Sequence, residues 1–172
     1  MTTGSRQRPH LLFGNYNESV AELRDYRPPD FQHLLEIDKA CFVEGIAYSA
    51  VELRHFLKRP SAVHIVGETE GKIEGFIIAD HFQTRRSAQR MGHIITIDVL
   101  PEARGSGLGS RLLKAAEEKM QEAGVTHISL EAAVDNFTAL RFYKRHGYTG
   151  LKILPNYYLD SIDALLMGKK LV

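Results

Sequence analysis

The chain has 172 residues, 44% hydrophobic and 25% charged, with a formal net charge of +1. That length suits one domain able to bury a core without disulfides or metals. The charge balance gives no pull toward nucleic acid or an anionic membrane. A single cysteine, Cys41, allows no intrachain disulfide and suits a reducing, cytoplasmic setting. No run approaches the roughly 18 apolar residues of a membrane span. Met1 to Pro9 carries Arg6 and Arg8 with no apolar run behind them, unlike a signal peptide. The histidines are scattered, with no HExxH or Cys/His cluster, so no metal site is expected.

Residues 1–22 read as a loosely held tail and 23–172 as one domain. Pro28-Pro29-Asp30 opens a helix, because proline is tolerated in the first turn. Phe31, Leu34, Leu35, Asp38 and Phe42 continue it at helical spacing. Ser49 to Glu52 is a capping box that starts a second helix through Leu57. The pattern then changes to strands at 62–68 and 72–82, joined by Glu70-Gly71 as a hairpin. A polar loop, 83–90, brings together Arg85, Arg86 and Arg90, which suit a solvated loop or an anionic group. His93 to Leu100 (HIITIDVL) is a third strand. Gly107 to Ala123 is helical, with Leu108, Leu112, Ala115, Ala116 and Met120 on one face and Gly124 as its stop. A strand at 126–133, a helix at 136–146 stopped by Gly147, and strands at 148–154 and 162–171 complete the chain. The order ααβββαβαββ is an α/β chain with a mixed sheet of the α+β kind. One hairpin combines with two strand–helix–strand crossings.

The segment richest in chemistry is RGSGLGS, Arg104 to Ser110, set between a strand and a helix. Alternate glycines remove side chains where a ligand approaches the backbone. The free amides of the helix N-terminus suit a pyrophosphate. A bare flexible turn is the plainer alternative, but glycine at this density costs helix stability unless the backbone is used. No lysine stands in the turn, so it is not a Walker A loop. Gly105 and Gly107 match the start of a dinucleotide fingerprint, yet its third glycine falls on Ser110. The turn also comes too late in the chain to complete such a domain.

The pattern R-x-x-G-x-G, Arg104, Gly107 and Gly109, resembles the acetyl-CoA signature of the GNAT acetyltransferase superfamily, and the element order is similar to that family's. Four segments resemble the protein N-terminal acetyltransferases, including the ribosomal-protein alanine group. They are Leu130-Glu131; Asn136 with Ala139 to Tyr143; Gly147-Tyr148; and Asn156-Tyr157-Tyr158 with Asp163-Ala164. Two segments depart. Val43-Glu44-Gly45-Ile46 replaces a Pro-Trp pair, and Lys152 to Pro155 lacks an arginine seen in some relatives. Both border the acceptor side.

The resemblance implies acetyl-CoA as cosubstrate and a primary amine as acceptor. Ile97, Asp98 and Val99 would offer backbone to the pantetheine arm and thioester. Arg104, Gly105, Ser106, Gly107, Leu108, Gly109 and Ser110 would cradle the pyrophosphate. Asn136 would bond the arm or simply cap its helix. Tyr143 would be the general acid for the departing thiolate, against a plain core role. Glu131 would be the base, directly or through water, against a solvated strand position. Tyr157 and Tyr158 would line the peptide side. Transfer is expected to be direct, since nothing near Cys41 suggests an activated thiolate. The expected acceptor is a protein or peptide N-terminal α-amine. The alternatives are a small amine (polyamine, amino acid or aminoglycoside) or an acyl-CoA-binding module without turnover.

Overall fold

A computed structural model describes residues 20–84 and 88–171. The elements are β1 (Glu22–Asp25), α1 (Phe31–Cys41), α2 (Ala50–Leu57), β2 (Val63–Thr69), β3 (Lys72–Gln83) and β4 (Arg90–Val99). They continue with α3 (Leu108–Glu122), β5 (Val125–Ala133), α4 (Phe137–Arg145), β6 (Thr149–Tyr158) and β7 (Ile162–Lys170). Ser49 caps α2 as expected: its hydroxyl accepts from the Glu52 amide, and the Glu52 carboxylate accepts from the Ser49 amide. Glu70 and Gly71 both take positive φ, which makes the two-residue turn of the β2–β3 hairpin.

β1 is absent from the expected order. Its sequence, ELRD, has neither β-branched residues nor clear alternation, so propensity gives no sign of it. Tertiary partners hold it instead. It pairs antiparallel with β2, and Arg24 reaches Asp30 at 2.7 Å and Glu68 at 2.6 Å. The strand begins at Glu22, and residues 1–19 of the expected tail lie outside the described residues.

The seven strands form one sheet in the order β1-β2-β3-β4-β5-β7-β6. Only β4 and β5 run parallel as neighbours. The α3 crossing joins them, while the α4 crossing passes over β7 to reach β6. Two cores result. On one face, Leu108, Leu112, Leu113, Ala116 and Met120 of α3 pack with Ile65, Ile77, Ile128 and Tyr143. On the other, Leu34, Leu35 and Ile37 of α1 and Leu53 and Leu57 of α2 pack with Val66, Phe76 and Ile78. Each fully buried leucine contributes about 1.5–3 kcal/mol. No helix among the described residues is long and apolar enough to cross a membrane.

Two irregularities of β4 shape the site. Ile78 pairs with Thr96 and Ala79 with Ile94, so Ile95 is an extra, bulged residue. The bulge shifts the alternation: Ile94 packs in the α3 core, whereas Thr96 and Asp98 turn toward α1. The β4–β5 ladder also stops at His93 and Ser129, and beyond it β5 pairs with β7 alone. The sheet is therefore split by a wedge between the C-terminal halves of β4 and β5.

Candidate active site

One side of the wedge is one continuous stretch from β4 into α3. The Leu100 amide bonds the Glu74 carbonyl of β3. By strand alternation the backbone of Asp98 also faces β3, and that of Ile97 and Val99 faces the wedge. The Val99 carbonyl accepts from Arg104 Nε at 3.0 Å and from the Cys41 thiol. The Ile95 carbonyl accepts from the Tyr48 hydroxyl at 3.3 Å. Ile97 alone of these three keeps both amide and carbonyl without a partner among the described residues. The structure thus turns the backbone of Ile97 and Val99 to the wedge, with the Val99 carbonyl already bonded, whereas the backbone of Asp98 faces β3 and its side chain is buried.

The turn that follows is open. Gly105 and Gly107 have φ of 82° and 84°, conformations that side chains rarely adopt, and a Cβ on either would meet nothing within 4 Å. Ser106 Oγ donates to the Ala103 carbonyl at 2.8 Å and accepts from the Leu108 amide at 3.4 Å. The amides of Gly105, Ser106, Gly107, Gly109 and Ser110 have no acceptor among the described residues. A cluster of free N–H groups at a helix N-terminus, with nothing above it, is an anion cradle.

One pair of side chains bridges the wedge, and a buried tyrosine stands near it. His93 Nε2 lies 2.6 Å from Glu131 Oε2, just where the ladder ends. When the ionised carboxylate accepts from Nε2–H, the neutral imidazole keeps its lone pair on Nδ1, an oriented base. From α4, Tyr143 is 7% exposed. Its hydroxyl has no hydrogen-bond partner among the described residues. Burial, then the nearby Asp98 and Tyr158, hold its pKa well above the ordinary value for tyrosine. Behind it, the Tyr148 ring packs edge-on at 5.6 Å. Tyr148 is itself fixed by donating to Glu117, which also accepts from Lys169.

The GNAT acetyltransferase family model matches residues 23–148. The chain belongs to this family. It is 35% identical over 149 residues to an uncharacterized N-acetyltransferase of Methanocaldococcus jannaschii, covering 86% of this chain and 90% of that protein. It is 30% identical over 156 residues to an N-alpha-acetyltransferase of Sulfurisphaera tokodaii, covering 87% and 92%. Its fold is similar to the crystal structure of Ard1 from Thermoplasma volcanium, with a TM-score of 0.78, 26% identity, and 89% and 99% of the two chains covered.

The opposite side of the wedge comes from distant segments. Tyr158 donates to the Glu131 carbonyl at 3.3 Å, and its own pKa is pushed up to about 12, chiefly by burial. The Tyr157 ring meets it edge-on at 4.9 Å and stays half exposed. Both lie at the end of β6, which is longer than expected. Asn156 takes φ of 53° inside it, and its amide bonds Asp163 Oδ1. The α1–α2 loop faces this hairpin: a Cβ on Gly45 would stand 2.7 Å from Leu159 Cδ2.

Of the expected residues, the structure gathers Ile97, Val99, Glu131, Tyr143 and Tyr158 around the wedge and the turn at its mouth. Asn136 takes the capping role, its Oδ1 accepting from the Ala139 amide at 3.1 Å, which leaves only its Nδ2 to meet a ligand. Arg90 is tied to the Ala123 carbonyl at the end of α3, whereas Arg85 and Arg86 lie outside the described residues. A residue at the wedge that the sequence reading did not single out is His93: it is the last β4 residue paired with β5, and Glu131 sits two residues past its partner Ser129.

Proposed function

We propose that this enzyme transfers the acetyl group of acetyl-CoA to the α-amine of a protein or peptide N-terminus, by direct attack with both substrates bound. The observation that carries the reading is the wedge. It has free Ile97 backbone on one wall, the His93–Glu131 pair bridging its base, and the unpartnered Tyr143 hydroxyl at its side. The name of the Sulfurisphaera relative supports the choice of acceptor.

The pyrophosphate rests on the free amides from Gly105 to Ser110, with Arg104 beside it. The Ile97 backbone aligns the pantetheine arm and thioester. An α-amine has a pKa near 8, so it needs only modest help to lose its proton, and the His93–Glu131 pair supplies that help. The neutral amine attacks the thioester carbonyl. The C–N bond forms, the C–S bond breaks, and the surplus proton on the attacking nitrogen leaves to replace the one that Tyr143 gives up. Tyr143, kept protonated by burial, donates to the leaving sulfur. Cys41 carries no acyl group in this scheme, because burial raises its pKa and its thiol is turned to the Val99 carbonyl.

One observation favours a second reading, a small cationic amine as acceptor. The α1–α2 loop lines a cavity of about 540 Å³ that includes Glu44 and Glu52. Release of CoA thiol from acetyl-CoA, measured with free-N-terminus peptides, N-blocked peptides and small amines, decides between them. Release with free peptides alone is expected. Release with small amines alone would move the acceptor to the second reading.

A further inference from the structure

Behind the wedge, on the α1 face of β4, two carboxyl groups meet in the core. Asp38 of α1 is 0% exposed and Asp98 of β4 is 1% exposed. Their outer oxygens are satisfied. Asp38 Oδ2 accepts from the Tyr48 amide at 2.7 Å, and Asp98 Oδ1 accepts from Thr96 Oγ1 at 2.6 Å. The remaining two, Asp38 Oδ1 and Asp98 Oδ2, are buried with no donor among the described residues. The two carboxyls are near enough for each to act on the proton affinity of the other. Two ionised carboxylates so placed would repel in a low dielectric and leave two desolvated lone pairs unmet. One proton between them removes both costs, as in other carboxyl pairs that cannot both ionise.

We propose that Asp38 and Asp98 hold one shared proton and act as a latch that fixes the acceptor loop to the cosubstrate strand. Asp98 sits between Ile97 and Val99, whose backbone faces the wedge. Asp38 holds the Tyr48 amide, and Tyr48 in turn donates to the Ile95 carbonyl on the same strand. The latch thus ties the loop at 43–49, which forms part of the acceptor wall, to the strand that aligns the thioester. The positioning half of this proposal rests on the acceptor reading above; the shared proton does not.

The groups that face the pair set its titration. Burial raises both carboxyls, and the charge of Asp38 adds to the rise at Asp98. Glu52 of α2 pushes the same way on Asp38, while Lys39 and the Tyr48 amide oppose it. Arg104 from the turn and the Thr96 hydroxyl oppose the rise at Asp98. The phenols of Tyr48 and Tyr143 and the thiol of Cys41 feel Asp98 but remain protonated. From β3, Phe76 and Ile78 bring no charge. A carboxyl raised in the folded state binds its proton more tightly there than in the unfolded chain. Its stabilisation is complete below the unfolded pKa near 4 and is lost as pH rises through the folded value.

Asp98→Asn tests this, because its amide nitrogen copies the protonated carboxyl toward Asp38 while its oxygen still accepts from Thr96. In thermal unfolding of the full chain from about pH 5 to about pH 9, the variant is expected to gain at least about 3 °C on wild type. A constant difference would overturn the shared proton. Should the variant fail to fold, infrared spectroscopy of wild type decides the same point: a protonated-carboxyl C=O band is expected at neutral pH and fades as pH rises, and its absence contradicts the proposal. For the latch, the ratio of the wild-type to the Asp98→Asn KM for acceptor peptide is expected to rise at least about fivefold between neutral pH and pH 9, the ionisation of the peptide amine cancelling in the ratio, with KM for acetyl-CoA steady. Parallel pH dependence in both proteins would overturn the positioning role. If no peptide is acetylated at all, the acceptor reading and the latch fall together, while the unfolding and infrared results still decide the proton.

Discussion

The stretch from β4 to α3 and the wall made by the α1–α2 loop with the β6–β7 hairpin stand on the two sides of the same wedge, yet they are assembled differently. The proposed donor side is one run of chain, Arg90 to Glu122, in which a bulge, a turn and a helix N-terminus follow directly. Its chemistry is backbone chemistry, and glycine at positive φ is the one requirement on side chains. The proposed acceptor side joins residues far apart in sequence through a few contacts: Tyr48 to Ile95, Tyr158 to Glu131, and Gly45 beneath Leu159. A local device of this kind fails all at once when its backbone is altered. A wall of separate contacts is expected to fail by degrees.

The largest effect should come from the turn. Gly107→Val places a β-branched residue at φ of 84° and narrows the cradle, so calorimetry is expected to show acetyl-CoA affinity reduced by about 100-fold or more. Unchanged affinity would remove the turn from the site. Next is Tyr143→Phe, expected to lower kcat about 100-fold with acetyl-CoA affinity within about twofold. Because the pKa of Tyr143 lies above its usual range, no fall in rate from its ionisation is expected below about pH 10. An equal loss of binding and turnover would make Tyr143 a packing residue. His93→Ala and Glu131→Gln are each expected to lower kcat about tenfold, with the double variant little worse than either, since the pair acts as a unit. Additive losses would separate them. The smallest effect is Tyr157→Ala, expected to raise the acceptor KM about fivefold and leave acetyl-CoA untouched; a change in acetyl-CoA affinity would merge the two sides.

The same contrast explains what was legible in the sequence. Helix caps, the hairpin turn and the RGSGLGS segment are local, and each carries its own physical signature. The bulge at Ile95 is not. Strict alternation along HIITIDVL gives no sign that Thr96 and Asp98 turn toward α1, so the buried carboxyl pair is not legible there. β1 was hidden because pairing and the Arg24 ion pairs hold it, against its propensity. His93 needed the parallel register of β4 and β5, a tertiary fact, before its link to Glu131 had meaning. The extension of β6 through Tyr158 depends on an asparagine at positive φ within the strand, an irregularity that residue pattern does not announce.

The most direct test uses a peptide that carries both a free α-amine and an internal lysine, incubated with acetyl-CoA and the enzyme and mapped by fragment mass spectrometry. The account predicts acetyl on the N-terminal nitrogen alone, lost with Tyr143→Phe. Acetyl on the lysine side chain, or equal transfer by the phenylalanine variant, would contradict it.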